Sequence, residues 1–432
     1  MVALCKRKIV RKNIFLITLV LSFVRLSAQE LDAAKVFSLS DMDQLFLEHN
    51  YGLLQQKYNI AQADAEILQA KVWSNPELSI SEVNLWHNST IEDLPPLWNG
   101  NPGKQQFAVE LEQELMTAGK RKKNIRIKSL EKDIEKLDFD NLVRELKYEI
   151  RQHFAEYMRL EQKERLLRKL LTQFEALESA YTRQEAAQNI RKIDLLRIQG
   201  EAKGYKTEIA GIALEKQEKT HALSTLIGVA LPPGMTLQEE TQSSRLLDAT
   251  PEMLKKIAVE TRPDFKALKS QMQLATQNLT LQRAERIPNL NFQVNYDHGG
   301  GVMHHFVGVG LSMDVPMFNR NKGNIQSAKI GIDKAENQLD AAHFELQSEL
   351  QKLWNQLHTQ KEALAEWSEE YRSELDNMLE ISTRNFSRQN QSLIEYLDFI
   401  GFYVDTLDEY YALTEEHKKT KETLFYIIGK EL

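Results

Sequence analysis

Three histidines flank a run of glycines, and their type and spacing could do chemistry directly. His298, His304 and His305 stand on either side of glycines 299–301. Histidine-rich loops can bind a metal ion, and a histidine followed by three glycines also imitates the oxyanion loop of esterases. The Gly-x-Ser-x-Gly motif that would carry an esterase nucleophile is absent from the sequence. The alternatives are a three-histidine metal site and a flexible turn, and the sequence favours the turn.

Other signatures of catalysis are also missing from the sequence. It contains no phosphate-binding loop, no Cys/His zinc pattern and no HExxH motif. One ExxH spacing occurs, from Glu218 to His221, whereas a metal site in a helix bundle uses a pair of them. The one cysteine, Cys5, lies close to the N-terminus, so neither a disulfide nor a thiolate metal site is expected in the rest of the chain. The sequence therefore predicts a protein that is not an enzyme and needs no cofactor.

The first 28 residues have the pattern of a secretory signal peptide. Basic residues precede an apolar run at positions 14–24, and Leu26-Ser27-Ala28 offers a small-residue cleavage site. The apolar run is too short to span a bilayer, which takes ~20 residues; a retained membrane anchor is the alternative. We therefore predict an exported protein and exclude residues 1–28 from the fold.

Composition after residue 28 excludes two further classes of protein. No later apolar stretch reaches the length of a transmembrane helix, and the mean hydropathy of the chain is −0.46. The formal net charge is −7, and acidic residues alternate with basic ones along most of the chain. A nucleic-acid-binding protein would show a basic face, so no nucleic acid partner is expected.

Three short segments alternate apolar with polar residues, as strands with one apolar face do. The apolar positions are Phe107, Val109, Leu111 and Leu115; Leu290, Phe292, Val294 and Tyr296; and Val307, Val309, Leu311, Met313 and Val315. A fourth segment, residues 78–86, alternates less regularly and breaks near Glu82. Segments of ~10 residues with this pattern are typical of transmembrane β-barrels, although a soluble antiparallel sheet would show the same alternation.

The number of strands limits how they could lie in a membrane. Four strands are too few to close a barrel, since small closed barrels have about eight. Open sheet edges are not tolerated in hydrocarbon. If these strands lie in a membrane, several copies of the chain must pool them, so the sequence predicts an oligomer.

Long helices fill most of the remaining chain, and the whole arrangement occurs twice. Residues from about 119 to 187 form one helical segment, which would be ~100 Å long at ~1.5 Å per residue. Leu111 aligns with Leu311, an offset of 200, and the offset shifts by one at Thr182 and Thr383. Each unit is predicted as helix, strand, strand, very long helix and helix. The predicted boundaries are 1–28 for the signal peptide, 29–228 and 251–432 for the repeats, and 229–250 for a linker.

The repeated segments resemble a known family. Segments 111–125 and 311–325, together with Asn75-Pro76-Glu77-Leu78-Ser79, are similar to the strand-to-helix junctions of TolC-family outer-membrane factors. The resemblance covers essentially the whole chain after residue 28 and is greatest to the heavy-metal branch typified by CzcC and CusC. It implies a mainly α fold with a membrane β-barrel portion. Three copies would share one barrel in the outer membrane, above a long α-helical barrel in the periplasm.

The same resemblance implies a function and partners. Family members are passive exit ducts that dock onto a periplasmic adaptor (membrane fusion) protein and an inner-membrane transporter, usually a proton-driven one. Heavy-metal cations are the expected cargo, with drugs or other small molecules as the alternative. The alternative from another class is a non-channel periplasmic coiled-coil adaptor or scaffold, which would not need two strand pairs in a duplicated frame.

The resemblance also implies a periplasmic gate at the tips of the long helices, near residues 184–191 and 388–392. The segment after the second tip is similar to the family's stretch with two constricting aspartates, so Glu395 and Asp398 are gate candidates. Asp194 stands at the equivalent site of the first repeat. Glu395 and Asp398 are three apart and share a helix face, so a threefold axis would turn them into two acidic rings. The alternative is that these acids only solvate a helix surface.

A second group of acids lies on the predicted polar face of the strands. Glu110, Glu112 and Glu114 alternate onto this face, and Asp314 is the charge that the second repeat keeps. Stacked acidic rings in a lumen would favour cations electrostatically. The alternative is that barrel interiors are polar in any case.

Basic residues cluster where the long helices are predicted to begin. The candidates are Lys120, Arg121 and Lys122 in the first repeat and Arg320 and Lys322 in the second. Positive charge at a helix N-terminus opposes the helix dipole, so a local anion is expected, and the phosphates of outer-membrane lipid are the natural candidate. A plain solvated face is the alternative.

Overall fold

The computed structural model describes residues 36–83, 105–238, 249–299 and 303–430, and the predicted signal peptide lies outside these ranges. Within them the chain is mainly helical with a few strands, as the sequence predicts. The helices are α1 (Leu39–His49), α2 (Tyr51–Lys71), α3 (Lys120–Ala186), α4 (Lys192–Ile227), α5 (Pro251–Thr261), α6 (Pro263–Ala284), α7 (Lys322–Ala365), α8 (Glu369–Ser387) and α9 (Leu393–Ile428). The strands are β1 (Val36–Phe37), β2 (Glu77–Ser81), β3 (Phe107–Leu115), β4 (Thr236–Leu237), β5 (Leu290–His298) and β6 (His305–Ser312).

Four strands form one antiparallel sheet in the order β2-β3-β5-β6. The ladder between β3 and β5 joins the two predicted repeats, and it runs from Phe107 opposite His298 to Leu115 opposite Leu290. Strand β2 ends just before Glu82, whose backbone is left-handed (φ 55°), which is why the alternation fails there. Among the described residues, β2 and β6 pair on one side only, so this part of a single chain forms a sheet with two open edges.

The long helix of the first repeat is continuous, but that of the second is not. Helix α3 has 67 residues, or ~100 Å at ~1.5 Å per residue. The prediction of one very long helix in the second repeat is wrong, because residues 366–368 separate α7 from α8. Ser368 accepts a hydrogen bond from the backbone N–H of Tyr371 (3.1 Å) and so caps a new helix. None of the helices within the described ranges is long and apolar enough to cross a membrane.

The base of each helical hairpin is held by the same device. In each repeat, the residue that separates the first two helices donates a hydrogen bond to a backbone carbonyl near the end of the last helix. In the first repeat Asn50 Nδ2 donates to the carbonyl of Leu226 (2.5 Å), and in the second Arg262 Nη1 donates to that of Ile427 (3.2 Å). Both carbonyls lie two residues before a left-handed glycine that ends the helix, which is a common C-terminal cap.

Elements that the sequence did not indicate close the base of the first hairpin. Strands β1 and β4 pair in parallel, and Phe37 and Leu237 are opposite each other in a cluster that also buries Phe46. The fully buried Tyr157 of α3 donates its hydroxyl to the carbonyl of Met235 (2.7 Å). Two-residue strands carry no periodic pattern, so only their packing against α1 and α3 reveals them.

Candidate functional site

The four-stranded sheet has one apolar and one polar face. Cross-strand register places Leu78, Leu111, Val294 and Val309 in one row, so apolar residues meet across all four strands. In the single chain Val309 is 75% exposed and Leu78 is 63% exposed. A contiguous apolar surface of this kind marks contact with lipid or with another protein.

The polar face carries the predicted lumen acids. Glu112 lies beside Glu77 and Gln293, and it accepts a hydrogen bond from Gln293 Nε2 (2.9 Å). Glu114 accepts one from Asn289 Nδ2 (2.5 Å). Glu110 shares this face. These contacts hold two of the predicted carboxylates in place along the sheet; their role in cation selection stays a prediction.

The second-repeat acid is placed differently from the strand acids. Asp314 follows the end of β6, and its side chain is exposed. Strand β6 presents Gly308 and Gly310 on the polar face, where β3 presents glutamates. The acidic row of a single chain therefore belongs to the first repeat, and Asp314 lies beyond the sheet.

The strand-to-helix junction uses two of the predicted lipid contacts within the chain. Lys120 is buried, and its ammonium lies 2.8 Å from Asn289 Oδ1 and 3.2 Å from the Glu285 carboxylate. Arg121 donates to the backbone carbonyl of Lys71 at 2.6 and 3.1 Å. The expected anion beside Lys120 is thus Glu285, the residue that follows the end of α6. This burial corrects the sequence prediction for Lys120, whose ammonium is unavailable to lipid phosphate.

Three of the basic candidates remain at the surface. Lys122, Arg320 and Lys322 are exposed. Helices α3 and α7 begin after left-handed residues, Gly119 (φ 67°) and Asn321 (φ 54°). A basic first turn opposes the helix dipole, and an anion near these exposed side chains would relieve the repulsion. Their contact with lipid phosphate stays a prediction.

The turns at the helix tips have the same backbone in both repeats. Gln188 (φ 61°) and Gln389 (φ 60°) are both left-handed. After each of them, an asparagine N–H donates across the turn at 2.9 Å, from Asn189 to Gln184 and from Asn390 to Asn385. The two tips are therefore equivalent structures, at an offset of 201 residues.

The predicted gate acids occupy equivalent positions just after these turns. In the first turn of α4, Asp194 forms two short contacts with the Arg191 guanidinium (2.9 and 3.0 Å). Glu395 forms a capping box with Ser392, whose backbone N–H and hydroxyl both donate to it at 2.8 Å. These hydrogen bonds lower the pKa of Glu395 and keep it ionised. Asp398 is exposed one turn further along. The arrangement brings acid to both tips; gating itself stays a prediction.

The three loop histidines are only partly brought together. His298 and His305 face each other across β5 and β6, with their Nδ1 atoms 3.2 Å apart, and the Tyr296 hydroxyl lies 2.9 Å from His305 Nδ1. His304 contributes its backbone carbonyl, which accepts from Gly299 N–H (3.1 Å). No group of three or more His, Cys, Asp or Glu residues in the described part of the chain is arranged to hold a metal ion.

Comparison with known proteins agrees with this geometry. Residues 254–429 match the family model described as Outer membrane efflux protein. This range falls inside the predicted second repeat, and the same helix–strand–strand–helix order also occurs in the first repeat. The predicted second repeat therefore matches the outer membrane efflux protein family. The description of that family assigns its members to efflux at the outer membrane.

Individual members of the family resemble the chain over most of its length. The cobalt-zinc-cadmium resistance protein CzcC of Cupriavidus metallidurans is 22% identical over 326 residues, which are 76% of this chain and 74% of that protein. The outer membrane protein VceC of Vibrio cholerae superposes with a TM-score of 0.70 at 15% identity, covering 90% of this chain and 96% of that one. The transmembrane channel CusC superposes with a TM-score of 0.66 at 17% identity, covering 91% and 92%.

An aromatic cluster near the helix tips was not predicted from the sequence. The rings of Phe386 and Tyr396 stack with centroids 4.5 Å apart, and Phe174 of α3 lies 6.2 Å from Tyr396. Tyr403, one heptad after Tyr396, donates its hydroxyl to Asp376 (2.6 Å). The cluster joins the two hairpins just behind the gate candidates. The spacing of Tyr396, Ile400 and Tyr403 along α9 was the available signal.

A row of ion pairs also joins the hairpins and was not predicted. Glu156 of α3 lies 2.8 Å from Lys219 and 2.7 Å from Lys419, and it accepts a hydrogen bond from His153. Burial alone would raise the pKa of Glu156, but these three hydrogen bonds lower it to about 2. Further ion pairs on the same side of α3 join Arg151 to Glu422, Arg159 to Asp408 and Lys163 to Asp408. Charge in this region therefore fixes the register between helices α3, α4 and α9.

Proposed function

We propose that three copies of this chain form the outer-membrane duct of a tripartite efflux system that exports heavy-metal cations. In this proposal the chain provides a passive, water-filled path. A periplasmic adaptor would dock near the helix tips, and an inner-membrane transporter, most simply a proton-driven one, would supply the energy. Opening at the tips would admit the cargo.

The observation that carries the proposal is the open, two-faced sheet. In the part of the chain that the structure describes, β2 and β6 each leave one edge without a partner, and the apolar row across the sheet is exposed. Unpaired backbone groups are costly in hydrocarbon, so the edges require strands from neighbouring copies. Closing the sheet with its apolar face outward would turn the polar face toward water. Both features support a shared barrel around an aqueous path.

The helical part supports the same assembly. Helix α3 packs against α2, α4, α6 and α9, whereas α7 packs mainly against α6 and α9. Large apolar side chains remain exposed on α7, with Phe344 76% exposed and Ile330 56% exposed. A neighbouring protomer would cover this face of α7. Phe344 is therefore a candidate anchor of the interface between copies.

The choice of cargo rests on two weaker supports. CzcC is named for resistance to cobalt, zinc and cadmium. The polar face of the sheet carries Glu110, Glu112 and Glu114 and would present three acidic levels per protomer to the lumen. A negative lumen raises the local concentration of cations. Export of drugs or other small molecules is the alternative, and the susceptibility experiment below separates the two.

The assembly is tested on the purified mature protein in detergent. We expect a trimer by light scattering and discrete conductance steps in planar bilayers. The variant Phe344→Asp should reduce the trimer fraction, whereas Glu362→Gln, an exposed change on the same helix, should leave it unchanged. A freely soluble monomer that needs no detergent would disprove the duct.

The cargo is tested by deleting the gene and measuring growth against cobalt, zinc, cadmium and a panel of antibiotics. We expect selective sensitivity to metals, restored by the wild-type gene. A triple variant of Glu110, Glu112 and Glu114 to glutamine should conduct cations less selectively. If only antibiotics gain potency, the channel assignment survives but the metal cargo is wrong.

A further inference from the structure

We propose that His298 and His305, assisted by Tyr296, form a binding site for a divalent transition-metal ion such as Zn²⁺ or Cu²⁺ at the end of the sheet remote from the long helices. The site lies on the apolar face of the sheet and is therefore separate from the polar path through the proposed duct. It would exist whether or not the duct carries metals.

The first support is the position of the ligands. His298 is the last residue of β5 and His305 the first of β6, and the register pairs them directly. They share the face that carries Tyr296, because residues two apart along a strand point to the same side. Two histidines on adjacent paired strands are held in place by the backbone ladder, so the site needs little ordering when an ion binds.

The second support is the distance between the nitrogens. The two Nδ1 atoms are 3.2 Å apart. A tetrahedral zinc ion with Zn–N bonds of ~2.0–2.1 Å places two nitrogen ligands ~3.3–3.4 Å apart. The pair is thus already close to the spacing of two ligands on one ion. Imidazole nitrogen is a preferred ligand of zinc, copper and nickel.

The third support is the surroundings of the pair. His298 is only 8% exposed, and the ring of Phe107 covers it with centroids 5.2 Å apart. The Tyr296 hydroxyl lies 2.9 Å from His305 Nδ1 and 3.4 Å from His298 Nδ1, so its oxygen stands beside both nitrogens. This oxygen can complete the coordination or bond to an ion-bound water. His305 is exposed, which leaves a path for the ion to enter.

The chain offers a matched control one residue away. His304 lies next to His305, but it forms its hydrogen bond through the backbone carbonyl, which accepts from Gly299 N–H. His304 precedes the first residue of β6 and is not part of the register pair of His298 and His305. Replacing His304 therefore removes a histidine from the same loop without removing a proposed ligand.

The test is a titration of the full mature protein, without a polyhistidine tag, with Zn²⁺ by equilibrium dialysis at pH 7.5. We expect the wild-type protein to bind one ion per protomer. His298→Asn and His305→Asn should each bind it at least ~100-fold more weakly. Tyr296→Phe should weaken binding ~10-fold, as removal of a supporting contact does. His304→Asn should bind within about 2-fold of wild type. Circular dichroism and the trimer fraction of each variant exclude misfolding as the cause of a loss.

A second probe reports the ligands directly. Cu²⁺ bound to the wild-type protein should show nitrogen hyperfine coupling in its paramagnetic resonance spectrum, and this coupling should disappear in His298→Asn. Equal Zn²⁺ binding by wild type and His305→Asn, or no binding by wild type, would overturn the site. Either result would show that the two imidazoles only form a hydrogen bond with each other at the end of the sheet.

Discussion

The two repeats differ in how they build the long helix that leaves the sheet. In the first repeat α3 is continuous, and in the second the same span is divided between α7 and α8. Buried Tyr157 corresponds to buried Leu357, an offset of 200, whereas buried Phe174 corresponds to buried Leu375, an offset of 201. The second repeat therefore contains one extra residue in this span, and its helix is interrupted there, at residues 366–368.

The interruption explains how a duplicated hairpin tolerates the extra residue. Each residue turns an α-helix by ~100°, so one insertion in a continuous helix would rotate every later side chain off the core-facing stripe. Leu166 and Leu167, which lie in the corresponding part of α3 in the first repeat, are both buried. In the second, Trp367 lies between the helices and packs against Tyr371 and Tyr410. The break lets α8 begin in a new orientation, so the apolar stripes of α7 and α8 both face the core.

The largest expected effect comes from repeating this insertion in the first repeat. An extra alanine after Arg168 should turn Leu170 and Phe174, both fully buried, away from the core and abolish assembly of the trimer. An extra alanine after Trp367 should be accommodated in the existing break with a loss of less than ~1 kcal/mol. Trimer yield in detergent and circular dichroism measure both. Equal damage at the two positions would contradict this account of the break.

The second test compares the glycines that end α4 and α9. Gly228 (φ 83°) would place a Cβ 2.5 Å from the backbone oxygen of His49, and Gly429 (φ 69°) would place one 2.7 Å from the side chain of Arg262. Alanine is strained at either backbone angle by ~1–2 kcal/mol. Gly228→Ala should lose about 3 kcal/mol, because a backbone cannot move aside as an arginine can. Gly429→Ala should lose about 2 kcal/mol.

Thermal unfolding in detergent, followed by circular dichroism, measures the loss of stability in each glycine variant. The comparison needs both variants to be measured at the same protein and detergent concentration, since assembly contributes to stability. If Gly429→Ala were the more damaging change, the backbone contact at Gly228 would not be the limiting one.

The third test concerns the ion pairs of α3. The carboxylate of Glu156 has a pKa of about 2, and the matching residue of the second repeat is the neutral Gln356. Because the folded-state pKa lies below the ordinary value of 4.5, its stabilisation is present above pH 4.5 and is lost as pH falls toward 2. With solvent screening, we expect about 2 kcal/mol to be lost over this range. Glu156→Gln should remove that part of the acid sensitivity.

Melting curves between pH 7 and pH 3 measure whether stability falls with pH as expected. Glu362→Gln, an exposed acid that is paired only with His358 in the described structure, is the control and should leave the pH dependence unchanged. An unaltered pH profile in Glu156→Gln would show that the three hydrogen bonds do not couple to stability.

The smallest effect distinguishes the two helix tips. Ser392→Ala removes a capping box and should cost about 1 kcal/mol. Arg191→Ala removes a salt bridge whose arginine is 75% exposed and should cost less stability than loss of the capping box, because solvent screens an exposed ion pair. Conductance tests the gate separately. Replacing both Glu395 and Asp398 with alanine should widen the resting pore, and unchanged single-channel conductance would remove them as a gate.

Local patterns predicted much of the fold. The alternation of Val109, Leu111 and Val294 fixed which strand faces are apolar, since that period of two follows from the backbone of each strand alone. The internal match of Leu111 with Leu311 indicated the duplication. The break in the second helix was missed because Trp367 and Ser368 are ordinary residues within a helical composition. Only the shift in offset hinted at an extra residue.

The candidate sites were predicted less completely, because their partners are distant in sequence. The burial of Lys120 depends on Glu285 and Asn289, which reach it only after β3 and β5 have paired. The aromatic cluster at the tips likewise needs α3 and α9 to meet. Neither contact leaves a trace in the residues next to it.

The sequence by itself indicated that the chain is duplicated, is built of long helices and has strands with one apolar face; the signal peptide stays a prediction. These properties depend on composition and on periods of two and 3.6 residues, which neighbouring residues set. The tertiary structure alone decided which charges are neutralised inside the chain, where the second helix breaks, and which histidines meet. Those outcomes depend on distances between residues far apart along the chain, and only packing and strand register fix such distances.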